Sequence, residues 1–277
     1  MKRLVVTGCS FTRFVPELTW PVFLTTHFDE TYNYAAPGAG NEYIFHSLIQ
    51  ADTELGLTSD DTVIIQWTGY FRFDHFKDEH DHTRWVGKGD WSHWANNALI
   101  PYLNEKGAIR KTLQYVLMAK RYLEAKGIRY RFTSLYDLRD IPQYPEYRPI
   151  IHEMYQDYFV YPRGMTDEYH MLKTTGQCYP HFGGHPPVGA HLIFAQTFAQ
   201  SLGIDVGTHA VDDIDLLIKN DQRYHDLYYK VASHPLYHST VKNLTRRKNE
   251  QVSAEILTYF PDSLENLKKI LRDSFTD

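Results

Sequence analysis

Two short, unbroken apolar runs constrain this chain more than anything else in it. They are Leu4-Val5-Val6, which opens into Thr7-Gly8-Cys9-Ser10, and Val63-Ile64-Ile65, which leads to Gln66-Trp67-Thr68-Gly69. A strand with one face in water alternates apolar and polar residues. A β-branched run with no alternation belongs to a strand covered on both faces, as in the middle of a parallel sheet. Parallel neighbours need a crossover of a dozen or more residues, usually a helix. The sequence supplies such segments. Trp20 to His27 reads as helical, with Thr19 as cap and Pro21 tolerated in the first turn. Asn41 to about Leu55 carries Ile44, Leu48 and Ile49 at helical spacing. Ala108 to Lys126 is stopped by Gly127, and Val188 to Leu202 by Gly203. With strands expected at Thr31–Ala35 and Arg129–Leu135, the order is β-α-β-α-β-α-β. That order predicts a three-layer α/β/α sandwich, a flavodoxin-like fold with a central parallel sheet.

Such a fold places ligands beyond the carboxyl ends of the strands. Ser10, Gly38, Thr68 and the segment after Leu135 all fall there. A serine just past the first strand exposes its hydroxyl beside the amino terminus of the following segment, whose N–H groups can stabilise an oxyanion; the plain alternative is an ordinary turn serine. The loop Ala36-Pro37-Gly38-Ala39-Gly40 lets backbone amides approach a ligand closely. Asn41 after it caps its helix, donates to an oxyanion, or does both. His185 sits in His181-Phe182-Gly183-Gly184-His185-Pro186-Pro187, a turn immediately before a late helix. That setting suits a general base for a serine. His181 is an alternative partner, and His191, on the helix itself, reads as structural.

A Gly-x-Ser turn after the first strand, Asn33-Tyr34-Ala35-Ala36-Pro37-Gly38 after the second, and a late His-Pro before the final helix together resemble the SGNH (GDSL-like) hydrolases, as a divergent member. The resemblance spans about residues 3 to 203. It implies that Ser10 is the nucleophile, Gly38 a backbone oxyanion donor and His185 the base. It also implies ester or thioester hydrolysis, often of acylated sugars or lipids, with no metal and no cofactor. Two positions depart from the family pattern. Phe71 stands where the third block places an oxyanion-hole Asn, and Gly183 and Phe182 stand where an Asp usually precedes the histidine. Losing one oxyanion donor costs on the order of 10²–10³ in rate, and losing the triad carboxylate on the order of 10⁴. The candidate substitutes are Asn41 for the amide and Thr68 or Arg72 from the strand end, with a Ser-His dyad oriented by a backbone carbonyl. Arg72 alternatively binds an anionic substrate group or is a solvated loop charge.

The resulting expectation is a serine esterase or deacylase acting on a small acylated, possibly carbohydrate, substrate. The alternatives are an acyltransferase using the same acyl-enzyme and an impaired scaffold that binds a glycan or a protein.

Composition narrows the partners. With 29 Lys and Arg against 34 Asp and Glu, the chain lacks the basic excess of a nucleic-acid binder or an electrostatic membrane anchor. The two cysteines, Cys9 and Cys178, make no disulfide framework and no metal-ligand spacing. His75, His80, His82 and His93 show no helical ligand pair. Trp85, Trp91 and Trp94 in the same segment either stack on sugar rings or form a satellite core. Leu4–Val6 is too short for a signal-peptide core, and no stretch approaches a membrane span. A cytoplasmic location is therefore expected. The chain divides into an α/β domain over 1–203, with insertions near 70–104 and 136–180, and a mainly helical extension over 204–277.

Overall fold

The computed structural model describes residues 2–13, 19–36, 38–72, 74, 104–135, 144–155, 159–160, 188–204 and 255–256. Four strands form a parallel sheet: β1 (Arg3–Thr7), β2 (Glu30–Asn33), β3 (Thr62–Trp67) and β4 (Arg129–Ser134). The helices are α1 (Trp20–Leu24), α2 (Asn41–Leu55), α3 (Glu105–Ala125), α4 (Arg148–Tyr155) and α5 (Val188–Ser201). A two-residue strand, β5 (Glu255–Ile256), pairs antiparallel with β2. The spatial order is β4-β3-β1-β2-β5. Its parallel part, 4-3-1-2, is the flavodoxin-like order, so the α/β sandwich expected from the sequence is the one observed.

The two apolar runs are the two interior strands. Leu4, Val5, Val6, Val63, Ile64 and Ile65 are all fully buried. Successive residues of a strand face opposite sides, and the register carries this across the sheet. Val5 pairs with Tyr32 on one side and Val63 on the other, Val63 with Tyr130, and Ile65 with Phe132. All six lie in one core cluster with Leu48 and Ala51 of α2 and with Leu113 and Val116 of α3. Leu4, Val6 and Ile64 face the opposite layer. There α1 packs on α5, with the Trp20 and Phe198 rings 4.7 Å apart.

The element boundaries differ from the sequence expectation at a few points. The 20–27 helix is α-helical only to Leu24 and finishes as a 3-10 turn, Thr25–His27. Thr19 donates its hydroxyl to Thr12 O at 3.0 Å and does not cap the helix. The third helix begins earlier than expected because Asn104 caps it, accepting from Gly107 N at 3.1 Å. Helix α4 lies in the insertion near 136–180, with Pro149 in its first turn. Within the extension expected to be mainly helical, Glu255–Ile256 is strand and pairs with β2 at the edge of the sheet. The rest of that extension, 205–254 and 257–277, lies outside the described residues.

At the end of the sheet away from the loops discussed below, one ion pair ties three segments. The Nε and Nη2 atoms of Arg3 fork onto the two carboxylate oxygens of Asp61, at 2.6 and 2.7 Å. Arg3 Nη1 also donates to Leu55 O. Burial pushes the Asp61 carboxyl up, but the Arg3 hydrogen bonds and the Thr58 N–H outweigh it and hold it below the usual carboxylate range. A carboxyl depressed in the folded state contributes stability above its unfolded pKa and loses it as pH falls through the folded value. Asp61 is buried, so removing its partner strands a charge. Arg3→Met is expected to cost about 3 kcal/mol in urea unfolding at neutral pH. The difference from the parent should shrink at acid pH, where Asp61 is protonated.

Candidate functional site

The chain runs from β1 outward to β2, then crosses back over β1 to β3. In open α/β sheets the reversal of strand order leaves a crevice at the carboxyl ends, where ligands bind. Here the reversal lies between β1 and β3, and the loops that meet there are Gly8–Arg13 and Thr68–Arg72.

The first loop is braced from three directions. Thr12 N and Arg13 N both donate to Cys9 O, at 3.0 and 3.1 Å, which closes a helical turn around Ser10. Thr12 Oγ1 donates to Gln66 Oε1 of β3 at 2.7 Å, and Cys9 Sγ lies 3.4 Å from the same oxygen. Asn33 Nδ2, at the end of β2, donates to Thr12 O at 2.8 Å. This packing requires glycine at position 8. A Cβ there would sit 2.3 Å from Thr12 Oγ1 and 3.0 Å from Gln66 Cβ. Ser10 is part-buried, whereas both its neighbours, Cys9 and Phe11, are buried.

The second element follows β2. Tyr34 N donates to Val6 O at 2.8 Å and Ala36 N to Gly8 O at 3.1 Å, so the strand pairing continues past the sheet into the two loops. Ser10 and Gly38 therefore lie at the same end of the sheet. Gly38 has φ 73°, in the left-handed region that glycine adopts without strain. Ala39 N donates to Ala36 O at 3.2 Å, and Gly40 N to Asp74 Oδ1 at 2.7 Å. Among the described residues, the Gly38 N–H is then the loop's uncommitted donor.

Asn41 is placed differently from the expectation. Gly40 is the N-cap of α2, and Asn41 is the first helical residue, buried to 3% exposure. Its side-chain amide reaches across to the end of β3. Thr68 N donates to Asn41 Oδ1 at 2.9 Å, while Asn41 Nδ2 donates to Thr68 O at 3.0 Å and to Thr112 Oγ1 at 3.2 Å. Both amide hydrogens are used, so Asn41 neither caps its helix nor has a proton left for an oxyanion. It acts as one more strand residue, pairing with Thr68 and fixing the exit of β3. Thr68 is fully buried; its backbone belongs to this frame, and its hydroxyl has no hydrogen-bond partner among the described residues.

Asp74 takes over the capping. Its carboxylate accepts from Gly40 N and Tyr43 N, both at 2.7 Å, and so holds the start of α2 from outside the helix. Arg72 lies between these groups. Its Nη1 is 3.5 Å from Ala39 O, and its Nε is buried without a hydrogen-bond partner. Phe71, where the family pattern has Asn, meets Tyr70 edge to face at 5.8 Å.

His185 and His181 lie outside the described residues, as do His75, His80, His82, His93 and the three tryptophans of that segment. The helix that follows His185 is described. Its His191 is buried and meets the Phe11 ring at 6.5 Å and 90°, so the first turns of α5 stand beside the residue that follows Ser10. Among the described residues no group of three or more His, Cys, Asp or Glu is placed to hold a metal, and no helix is long and apolar enough to cross a membrane.

Sequence reasoning missed Asn33, Gln66 and Asp74 as positioning residues. Gln66 did carry a signal, as a polar side chain inside an otherwise apolar buried run. Asp74 carried none, because its partners are 31 and 34 residues away.

The fold and these loops define an α/β protein of flavodoxin-like order with a part-buried serine at the point where the strand order reverses. Among solved structures it is similar to a member of the lipolytic protein G-D-S-L family from Veillonella parvula, at 11% identity and a TM-score of 0.41, over 72% of this chain and 97% of that one. It is similar to TesA at 13% identity and 0.41, over 72% and 97%. A third likeness is to protein YXIM from Bacillus subtilis, at 14% and 0.40, over 73% and 56%. No family model and no curated protein matches the sequence. At this level of similarity, the site is assigned from the chain's own geometry.

Asp74 gives this region a testable pH dependence. Burial raises its carboxyl to about 6, against the opposing pull of the Tyr43 and Gly40 N–H groups. A carboxyl raised in the folded state contributes stability below its unfolded pKa, and that contribution is lost as pH rises through the folded value. Unfolding free energy should therefore fall, on this group's account, by about 2–3 kcal/mol between roughly pH 4 and 6. Asp74→Asn should flatten that part of the profile. Parallel profiles for variant and parent would show that Asp74 does not titrate in this range.

Proposed function

We propose that the chain is a serine-dependent ester hydrolase acting on small acylated substrates, with Ser10 as nucleophile and His185 as general base. The observation that carries this reading is the joining of the Ser10 turn to the Gly38 loop by Ala36 N and Gly8 O at 3.1 Å, which puts a strand-end hydroxyl and a loop N–H on one edge of the sheet. Two further features support it. The Ser10 turn is anchored by Gln66 and Asn33, and the helix following His185 stands against Phe11.

In the proposed reaction the Ser10 hydroxyl attacks the acyl carbonyl while His185 accepts its proton. The oxyanion of the tetrahedral intermediate is met by the Ser10 and Gly38 backbone N–H groups, not by a side-chain amide, since the Asn41 amide is committed to Thr68 and Thr112. Collapse expels the alcohol, which takes the proton from His185. Water, activated by the same imidazole, then releases the acid and restores Ser10. An alcohol in place of water makes the same acyl-enzyme a transferase intermediate.

A second reading, a non-catalytic scaffold that binds a glycan or a protein, is favoured by one specific pairing of facts. Phe71 occupies the family's oxyanion Asn position, and Asn41 cannot replace it. An oxyanion hole of two backbone donors forgoes a factor on the order of 10²–10³.

Labelling with a fluorophosphonate probe separates the two readings. The wild-type chain should react and Ser10→Ala should not; a folded wild type that never labels supports the scaffold. Turnover of an activated ester should also fall as pH drops through the imidazole range, about 6.5 for an unperturbed histidine. His185→Ala should lose most of kcat with little change in ground-state binding. His191→Ala should lower stability, because that side chain is buried in α5. If His191→Ala or His181→Ala abolishes turnover while His185→Ala keeps it, the base is misassigned.

A further inference from the structure

The chain contains a direct internal comparison between two arginines. A guanidinium presents Nε–H and Nη2–H along one edge as a parallel pair of donors that matches the two oxygens of a carboxylate or phosphate. Arg3 shows this edge filled, with Asp61 oxygens at 2.6 and 2.7 Å. Among the described residues Arg72 does not show it filled. Its hydrogen bond is from Nη1 to Ala39 O at 3.5 Å, the long limit for such a bond, and its Nε is buried without a partner. The carboxylate two residues on, Asp74, accepts from the N–H groups of Gly40 and Tyr43. A buried Nε–H left unsatisfied is costly, because it loses its hydration without replacement. The residue as a whole is part-buried, with its Nε the covered end. It stands at the carboxyl end of the sheet, on the loop after β3, against the Gly38–Gly40 segment.

We propose that Arg72 is the receptor for an oxyanion group, a carboxylate or a phosphate, carried by the substrate, so that the protein acts on anionic acyl esters in preference to neutral ones. This rests on the reading of Ser10 as nucleophile for the word "substrate", but the anion site itself does not. The Nε–Nη2 edge would take two oxygens of the anion, as Arg3 takes Asp61. The site is then a positioning device: it fixes one end of the ester while the acyl carbonyl lies towards Ser10 and Gly38.

Two measurements test this, and they fail separately. The first is binding of inorganic phosphate and of acetate to the full chain by calorimetry and by the shift of the Arg72 Nε–H resonance. Binding should weaken about tenfold or more in Arg72→Gln, and comparably in Arg72→Lys, which keeps the charge but loses the fork. Phosphate binding with acetate indifference would assign a phosphorylated substrate, and the converse a carboxylate. Unchanged binding in both variants, or no shift of the Arg72 resonance with either ion, overturns the proposal.

The second measurement is the ratio of kcat/KM for an anionic ester to that for a neutral ester of the same acyl group. The ratio should exceed one in the wild type and fall at least tenfold in Arg72→Gln, chiefly through KM. A ratio that Arg72→Gln leaves unaltered also overturns it. Arg72-dependent anion binding in a chain that hydrolyses no ester would instead refute the Ser10 reading while leaving the anion site in place.

Discussion

Everything described at the functional edge depends on β1 being paired on both sides, with β2 and β3, in parallel and in fixed register. A parallel pair brings the carboxyl ends of its strands to the same edge of the sheet. Because β1 is parallel to both neighbours, the three loops that follow β1, β2 and β3 must emerge together. The full burial of Leu4, Val5 and Val6 makes that register hard to change. A slip by one residue would turn Val5 away from the α2–α3 layer and exchange every contact on both faces.

What the loops then do is lock to one another with polar groups, since their backbones have left the sheet but remain buried. Buried N–H and C=O groups must find partners. Here they find them in side chains sent from neighbouring elements. Asn33 from β2 and Thr19 from the start of α1 meet Thr12 O, Gln66 from β3 meets Thr12 Oγ1, Asn41 from α2 meets both backbone groups of Thr68, and Asp74 meets the start of α2. The result is a rigid frame around a few groups that stay uncommitted. Among the described residues these include the Gly38 N–H, the Thr68 hydroxyl and Arg72 Nε, and the part-buried Ser10 hydroxyl lies in the loop this frame holds. Preorganised donors around a reacting group are the usual source of electrostatic catalysis. A frame that leaves its own donors unfilled is also what an anionic ligand requires.

The exit of β3 is held by side chains sent from other elements. Asn41 holds that strand end through Thr68, and Phe71 beyond it meets Tyr70 edge to face. An Asn in α2 thus does a structural job, and the chemistry proposed for the site rests on backbone donors.

The sequence by itself determined the layer architecture and where several of the helices stop. Unbroken runs such as Val63–Ile65 report burial on both faces, glycines such as Gly127 and Gly203 end helices in the left-handed conformation, and helical spacing in 41–55 locates a core-facing stripe. These are local signals, readable within one turn or one strand. It also placed Ser10, Gly38 and Arg72 at strand ends, because that follows from topology alone. What each polar residue does was decided only by the tertiary structure. Asn41 next to a glycine reads locally as a cap or a free donor, and only the position of Thr68, 27 residues on, shows that its amide is spent. Asp74 becomes a helix cap, and Arg72 Nε goes without a partner among the described residues, for the same physical reason. A hydrogen-bonding group is satisfied by whichever partner the fold brings within about 3 Å, and that partner is set by strand order and register rather than by distance along the chain.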